Sequence, residues 1–369
     1  MFLSGINCFC YQKIAKPIFF RFDPEDVHDR MIVCGKFLGN HNFYRAVTRW
    51  FFDYQHKKLG QNILGINFPN PVGLTAGFDK NAELTQIIPE VGFGFEEIGS
   101  VTGETCEGNP KPRLWRLPKT KGLVVWYGLK NDGCKIIAKR LAGLHFKIPI
   151  GTSVARTNIP DASSLQAGID DYVKAFTEFS EIGDYTVINI SCPNTCGGEP
   201  FSNPERLELL LTTLDQIKTK KPVFVKTAVD LSTQELDTIV ACAKKHKVDG
   251  FIVSNLTKKH DRDSIDQTEI KPEHKGGISG KPVFELSNNL IAHLYKTNGD
   301  RFVIIGSGGI FSAKDAYQKI CFGASLVQLA TGMIFEGPQV IGDINRGLVK
   351  LLEKDGFKSI SEAIGSKVK

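Results

Sequence analysis

From residue 60 onward, short runs of apolar and β-branched residues alternate with longer stretches in which apolar residues recur at helical spacing. Eight such runs occur: "PVGLTAGF" (71–78), "FEEIGSVT" (95–102), "PIGTSV" (149–154), "YTVINISC" (185–192), "VFVKTA" (223–228), "DGFIVSN" (249–255), "FVIIGSGG" (302–309) and "LVQLATG" (326–332). Eight strands separated by helices predict an α/β fold, a (β/α)8 TIM barrel. An open doubly wound sheet is the alternative, but no G-x-G-x-x-G opens a helix after the first run.

Residues 1–60 do not follow this period and hold 13 of the 36 aromatic residues, with nine Lys or Arg against five Asp or Glu. We therefore expect an N-terminal helical extension (1–60) ahead of a barrel domain (61–369). Aromatic residues beside basic ones are typical of helices at an anionic bilayer surface. A helical cap that packs on the barrel explains them as well, and both interpretations can hold at once.

Composition narrows the class of protein. The chain has 369 residues, of which 41% are hydrophobic and 23% charged, as in folded globular proteins. A net charge of +6 is too small for a nucleic-acid-binding surface but favours an anionic ligand or membrane. Nine cysteines without a C-x-x-C pair indicate a reducing compartment and no metal or iron–sulfur centre. With no signal peptide or membrane-spanning run, we expect a cytoplasmic protein, peripheral on the inner face of the cytoplasmic membrane if the extension contacts lipid.

Polar residues lie at or just after the carboxyl ends of several predicted strands, where a barrel places its active face. They are Lys80, Ser100, Asn189, Cys192, Asn194, Lys226 and Asn255. Each alone has an ordinary explanation as a helix cap or a paired surface charge. Together, at the ends of different strands, they predict a catalytic mouth. The glycines of "GSGG" (306–309) and "ATG" (330–332) predict a phosphate site after the last two strands.

Cys192 stands between two carboxamides, Asn189 and Asn194, at one strand exit. A thiol has an unperturbed pKa of about 8.5, and lysines at the same mouth would lower it enough for a base or nucleophile. An inert buried thiol is the alternative. Cys8, Cys10 and Cys196 have no such placement, and we interpret them as structural.

Five motifs resemble the dihydroorotate dehydrogenase family: "AGFDKNAE" (76–83), "EEIGSVT" (96–102), "ISCPNT" (190–195), "GGISGKP" (276–282) and "IIGSGGI" (304–310). The resemblance implies an FMN-containing barrel that oxidises (S)-dihydroorotate to orotate in pyrimidine (UMP) biosynthesis. Cys192 would take the C5 proton, and FMN would accept the C6 hydride. The segment from Cys192 to about Pro204, with Gly197 and Gly198, would be a lid.

The resemblance also assigns binding residues. Substrate would contact Lys80, Asn189, Asn194 and Asn255. FMN would contact Ala76, Gly77, Lys80, Ser100, Ser153, Asn189, Lys226, Ser254, Gly280, Gly308, Gly309 and Thr331.

Class markers within the family conflict. "FDPEDVHDRM" (22–31) and "KPRLWRLP" (111–118) are similar to the membrane-associated class 2 branch, where His28 and Arg116 would lie in a quinone tunnel. Class 2 enzymes have Ser at the base position, however, and Cys192 resembles class 1 enzymes, which use fumarate or NAD. We expect quinone as the acceptor, with NAD or fumarate as the alternative.

Three further positions depart from the family pattern. Val125 stands where the family has an Asn that contacts orotate, Leu256 replaces a Ser or Thr, and Ala330 replaces a Tyr of the quinone site. Loss of polar partners weakens binding when substrate groups stay unpaired. Two alternatives therefore stay open: an FMN oxidoreductase for another cyclic amide, and a non-catalytic flavin- or ligand-binding barrel.

Overall fold

The structure, a computed structural model, describes residues 2–160, 164–192, 194 and 200–368. The chain begins with four helices and a π-helical turn at Tyr11–Ala15. The helices are α1 (Phe2–Cys10), α2 (Lys16–Phe19), α3 (Pro24–Gly39) and α4 (Asn42–Phe52). None of the helices in the described part of the chain is both long and apolar enough to cross a membrane.

Buried charges hold this extension on the rest of the molecule. Glu25, at the start of α3, is 2% exposed and accepts hydrogen bonds from Arg113 Nε (3.1 Å) and Nη2 (2.9 Å). Glu90 is 1% exposed and accepts from Arg45 Nε at 3.1 Å and Arg49 Nε at 2.6 Å, both on α4. Because a buried carboxylate needs such partners, these contacts fix α3 and α4 in place.

The predicted barrel is confirmed. Eight parallel strands form a closed sheet in the order β10-β12-β13-β3-β4-β7-β8-β9. Their bounds are β3 (Val72–Leu74), β4 (Phe95–Val101), β7 (Ile150–Val154), β8 (Tyr185–Asn189), β9 (Val223–Thr227), β10 (Gly250–Val253), β12 (Val303–Ser307) and β13 (Leu326–Leu329). All eight predicted runs contain one of them. The first run extends too far, because the chain leaves the sheet after Leu74 and turns at Gly77, whose φ is 99°.

Helices follow the barrel strands and cover the outside of the sheet. They are α5 (Ile88–Val91), α6 (Cys134–Leu141), α7 (Leu165–Glu178), α8 (Pro204–Leu214), α9 (Thr233–Ala243), α10 (Phe284–Asn298), α11 (Ala313–Cys321), α12 (Thr331–Glu336), α13 (Val340–Asp355) and α14 (Ile360–Ala363). Their apolar faces pack on the outward-facing strand residues in one large buried cluster. This alternation of strand and helix is what the hydrophobic pattern predicts.

Five further strands close the two ends of the barrel. The hairpin β1 (Gln61–Ile63) and β2 (Ile66–Phe68) packs Phe68 against Phe95, at the first residue of β4, with ring centroids 5.5 Å apart. It therefore fills the end where the strands begin. An antiparallel sheet of β5 (Leu114–Leu117), β6 (Gly122–Val125) and β11 (Gly277–Gly280) lies in the connections at the opposite end, and the hydrophobic pattern did not predict it.

Candidate active site

A cavity opens at the carboxyl ends of the strands, between the barrel and the β5–β6–β11 sheet. Its empty space is about 1300 Å³ when the solvent at its open mouth is included. Nearly all the predicted site residues line it: His28, Ala76, Gly77, Lys80, Ser100, Asn189, Cys192, Asn194, Lys226, Ser254, Asn255, Gly280, Gly308, Gly309 and Thr331. The exceptions are Ser153 and Arg116.

Glycine backbone forms one end of the cavity, after β12. Gly308 and Gly309 have φ angles of 104° and 74°, in the left-handed region that glycine favours. A Cβ at Gly309 would come within 2.5 Å of Phe284 Cβ, so a side chain there would clash. Ser279 and Thr331, on facing segments, share a hydrogen bond between their hydroxyls at 2.9 Å. Such a cradle of backbone amides and hydroxyls suits a phosphate group.

A buried polar layer forms the floor of the cavity. Glu97, fully buried on β4, accepts from Gln328 Nε2 at 2.6 Å and pairs with Lys226 Nζ at 3.3 Å. Lys226 also donates to Thr75 Oγ1 at 3.3 Å. Because the carboxylate neutralises the ammonium, Lys226 can be held at the base of the cavity as a cation.

Ser153 lies one layer behind the wall rather than on it. Its hydroxyl is 2.8 Å from that of Ser100, which in turn accepts from Asn189 Nδ2 at 2.8 Å. Asn189 Oδ1 accepts from the backbone N–H (3.2 Å) and hydroxyl (3.0 Å) of Ser191. The chain of bonds fixes the rotamers of Ser100 and Asn189, so Ser153 positions residues that line the cavity.

Carboxamides surround the predicted base. Asn194 Nδ2 donates to Val125 O at 2.8 Å, and Asn255 Nδ2 donates to Ser191 O at 2.8 Å. Cys192, partly buried, lines the cavity between these two anchored side chains. The structure thus brings a thiol and three carboxamides to one wall, as the strand-exit pattern predicts. Part of the predicted lid, residues 193 and 195–199 with Cys196, Gly197 and Gly198 among them, lies outside the described residues.

Comparison with known proteins agrees with this arrangement. The family model for dihydroorotate dehydrogenase matches residues 58–352. The chain belongs to the dihydroorotate dehydrogenase family. A relative from Trichormus variabilis, named dihydroorotate dehydrogenase (quinone), is 38% identical and is matched over 97% of this chain and 99% of its own. A relative of the same name from Gloeobacter violaceus is 37% identical, with 96% and 98% covered.

Solved structures of the family share the fold. The ligand-free dihydroorotate dehydrogenase of Eimeria tenella is 30% identical and superposes with a TM-score of 0.82, covering 94% of this chain and all of its own. The complex of that enzyme with ferulenol gives a TM-score of 0.83 at 29% identity, with 94% and 96% covered. The 6% of this chain that is not covered is shorter than the N-terminal extension, so part of the extension lies within the matched architecture.

Lys80 combines burial with a titration near neutral pH. Its Nζ lies 4.0 Å from the centroid of the Tyr127 ring, within the range of a cation–π contact. Desolvation lowers the pKa of Lys80 to about 8, and the charge of Asp29 partly opposes that decrease. The ammonium is thus charged at pH 7 but loses its proton under mildly alkaline conditions.

His28 and Arg116, the predicted tunnel residues, lie at different places. His28 Nε2 donates to Phe78 O at 2.9 Å, and burial lowers the pKa of the imidazole, which keeps it neutral at pH 7. Arg116 lies outside the cavity, its guanidinium 4.7 Å from the Phe20 ring centroid and bonded to Phe22 O. Phe20 belongs to an apolar cluster that also contains Leu114 and Leu123 of the cavity wall, so apolar side chains connect the two places.

The three departures from the family pattern all face the cavity: Val125, Leu256 and Ala330. Two residues near them could replace the lost polar groups, Thr257 and Lys130. Thr257 is buried, and its hydroxyl donates a hydrogen bond to Asp230 Oδ1 at 2.6 Å. Lys130 lines the cavity, with its Nζ 3.7 Å from Glu25 Oε1. This part of the wall is accordingly apolar apart from Lys130 and the asparagines.

Sequence reasoning missed Glu97, Gln328 and Tyr127. The two-residue period of β4 puts Glu97 on the same face as Phe95, and hence inside the barrel. The position of Glu97 could therefore have been predicted from the sequence. The partner of Glu97, Gln328, comes from a strand 231 residues away along the chain, which no local pattern reveals.

We predict that Glu97→Gln destabilises the protein strongly, because it leaves Lys226 buried without a counter-charge. The free energy of unfolding should fall by about 3 kcal/mol or more, measured by urea denaturation followed by circular dichroism. Glu353→Gln is the matched control, since Glu353 is 53% exposed and pairs with Lys58 on the surface. That variant should change stability by less than about 1 kcal/mol. Equal effects of the two substitutions would contradict the role of the buried pair.

Proposed function

We propose that this protein oxidises (S)-dihydroorotate to orotate with FMN and passes the electrons to a quinone, as a step of pyrimidine biosynthesis. The main support is that one cavity is lined by Cys192, two lysines, three carboxamides and the glycine backbone at Gly308 and Gly309. Relatives with 35–38% identity over nearly the whole chain are named dihydroorotate dehydrogenase (quinone), which favours quinone over NAD or fumarate.

The residues present fit FMN. The backbone at Gly308 and Gly309 and the Thr331 hydroxyl would hold its phosphate, because they line the cavity and supply hydrogen-bond donors. Ser254 Oγ is buried in the wall without a hydrogen-bond partner among the described residues, and a polar ligand would satisfy it. Lys226 has three donor hydrogens, two of which point to Thr75 and Glu97. The third hydrogen would donate to the flavin ring of FMN.

Other FMN contacts proposed from the resemblance follow the same wall. Ala76, Gly77, Ser100, Asn189 and Gly280 line it beside Lys80, and Ser153 supports Ser100 from behind. When bound, FMN supplies a hydride acceptor for C6 of the substrate. A cation at the edge of the ring lowers the energy of the negative charge that develops during the reaction. Lys226, held at the floor by Glu97, would supply this cation.

Cys192 would act on the substrate itself. Its Sγ would remove the proton from C5 as the C6 hydride leaves, and a thiolate is a competent base for this transfer. Asn189, Asn194 and Asn255 each carry a donor and an acceptor, which match the N–H and C=O groups of a cyclic amide. Their anchored hydrogen bonds hold the carboxamide planes before substrate binds.

A second candidate is oxidation or reduction of a different cyclic amide. Val125 and Leu256 favour it, since they present carbon atoms where a carboxylate-bearing substrate would need donors. Orotate formation by the FMN-loaded protein distinguishes the two candidates. If the protein retains FMN yet forms no orotate from dihydroorotate, its substrate is a different cyclic amide.

The N-terminal extension has the surface expected for contact with a membrane that stores quinone. Of the eighteen large hydrophobic side chains that are exposed in the described residues, thirteen lie between Ile6 and Phe51. On α4 the arginines Arg45 and Arg49 bind Glu90, while Phe43 and Trp50 are 73% and 66% exposed. This helix turns charge inward and aromatic rings outward, as interfacial helices do.

We predict that Cys192→Ala keeps its FMN but forms orotate about 10²- to 10⁴-fold more slowly, because the general base is lost. The measurement is orotate absorbance with dihydroorotate and a soluble quinone, which the wild-type protein should convert. Cys34→Ser, an exposed cysteine on α3, is the matched control and should match wild type. Wild-type protein with full FMN and no orotate formation would refute the proposed substrate, and an unaffected Cys192→Ala would refute the base.

Lys80 should make the binding of orotate depend on pH. A pKa of about 8 means that the cation is present below pH 8 and lost above it. The affinity for this anion should therefore fall about 10- to 100-fold as the pH rises through 8, since a charged hydrogen bond contributes about 1.5–3 kcal/mol. The dissociation constant can be titrated by FMN absorbance. Lys80→Gln should bind weakly with no such dependence. If this variant kept the wild-type profile, another group would be responsible.

Exposed rings on α4 should be needed for lipid binding. Phe43→Ser with Trp50→Ser should reduce co-sedimentation with liposomes of anionic and neutral phospholipid, because both side chains lose apolar area that would enter the interface. Leu209→Ser, which is 51% exposed on α8, is the control and should sediment as wild type does. Equal losses in the two proteins would place the lipid contact elsewhere.

A further inference from the structure

Three metal-ligating side chains come together on the outside of the barrel. Glu208 lies on α8, Cys242 lies on α9, and His246 follows one turn later. One ligand atom from each lies within 4.8 Å of the others. None of the three lines the active-site cavity, so the mechanism proposed above leaves this cluster unused.

His246 is the most informative member. Its side chain is only 7% exposed, and Nδ1 is 2.8 Å from Asp215 Oδ2. Since a carboxylate only accepts, Nδ1 carries a proton and donates it to Asp215. The other nitrogen, Nε2, is buried and has no hydrogen-bond partner among the described residues. It lies 3.4 Å from Glu208 Oε1, so a ring nitrogen and a carboxylate oxygen, both of which can ligate a metal, are neighbours.

The three ligand atoms lie close enough together to bind one zinc ion. Zinc ligands at 2.0–2.3 Å in a tetrahedron are about 3.3–3.8 Å from one another. The contact from His246 Nε2 to Glu208 Oε1 is 3.4 Å, and Cys242 Sγ is 3.4 Å from the other oxygen of that carboxylate, Oε2. One ligand atom from each residue lies within 4.8 Å of the others. A thiolate, an imidazole and a carboxylate are together the donor set that zinc prefers. Asp215 orients the imidazole, as acidic residues behind metal-bound histidines commonly do.

We propose that Glu208, Cys242 and His246 bind a zinc ion, with water as a fourth ligand from solvent. Glu208 is 38% exposed, which leaves an entry path. On binding, Cys242 releases to solvent the proton that it now donates to Glu208, and the two anionic ligands balance the charge of the ion. Lys245, whose Nζ is 3.2 Å from Glu208 Oε2 and is 66% exposed, can withdraw into solvent. The ion would join α8 to the end of α9.

The test uses the FMN-loaded full-length protein after treatment with a chelator. Zinc is added and unbound ion removed, and the bound metal is counted by elemental analysis. Cobalt(II) is added in parallel and read as a difference spectrum against the same protein. We expect one zinc per chain and a near-ultraviolet band from thiolate bound to cobalt. Cys242→Ser and His246→Gln should lose both. Asp215→Asn should weaken zinc binding about 10- to 100-fold.

Cys34→Ser controls for adventitious binding to thiols and should retain the zinc and the band. FMN content reports whether each variant is folded. A wild-type cobalt spectrum without a thiolate band would overturn the proposal whether or not the variants fold. So would equal zinc binding by wild type and Cys242→Ser, and the cluster would then be a histidine held between two carboxylates. Because the site lies outside the cavity, neither outcome depends on which substrate the enzyme oxidises.

Discussion

The hydrogen bonds between β3 and β13 close the sheet, and the rest of the molecule depends on that closure. Val72 pairs with Val327 and Leu74 with Leu329, which joins the first barrel strand to the last. In a closed parallel sheet, every strand ends on the same rim. Residues from distant parts of the chain therefore meet there without any local contact between them. Asn189, Lys226 and Gly308 are brought together in this way.

Because the closed sheet buries the groups at its rim, a charged side chain there needs a neighbouring group that stabilises it. An apolar cluster fills the lower half of the barrel, from Phe95 and Tyr185 to Leu326. Above it, the buried Lys226 has the carboxylate of Glu97 beside it as a counter-charge. Lys80 has an aromatic ring as its near neighbour instead, and burial accordingly lowers its pKa to about 8. The two lysines thus differ in their nearest partner, a carboxylate for Lys226 and an aromatic ring for Lys80, although both line one cavity.

Much of this architecture could be predicted from the sequence, and the same physical reasons explain which parts could not. Barrel strands have both faces buried, so they form continuous apolar runs that can be recognised in a single sequence. The β5–β6–β11 sheet escaped because β11 pairs with β6 from some 150 residues away. Ser153 lies on a barrel strand, β7, as expected, but its hydroxyl faces that of Ser100 rather than the cavity. Cys242 and His246 have the four-residue spacing of a ligand pair on a helix, yet Glu208 joins them only through packing of α8 on α9.

The most direct test of the account is anaerobic rapid mixing of the purified protein with (S)-dihydroorotate, followed by mixing with ubiquinone, fumarate or NAD in parallel. The account predicts that the visible absorbance of the bound FMN falls with a saturable dependence on dihydroorotate and returns fastest with ubiquinone. Full FMN content with no change of absorbance on adding dihydroorotate would contradict it. The apolar wall at Val125 and Leu256 would then be the specificity pocket of an enzyme for a different cyclic amide.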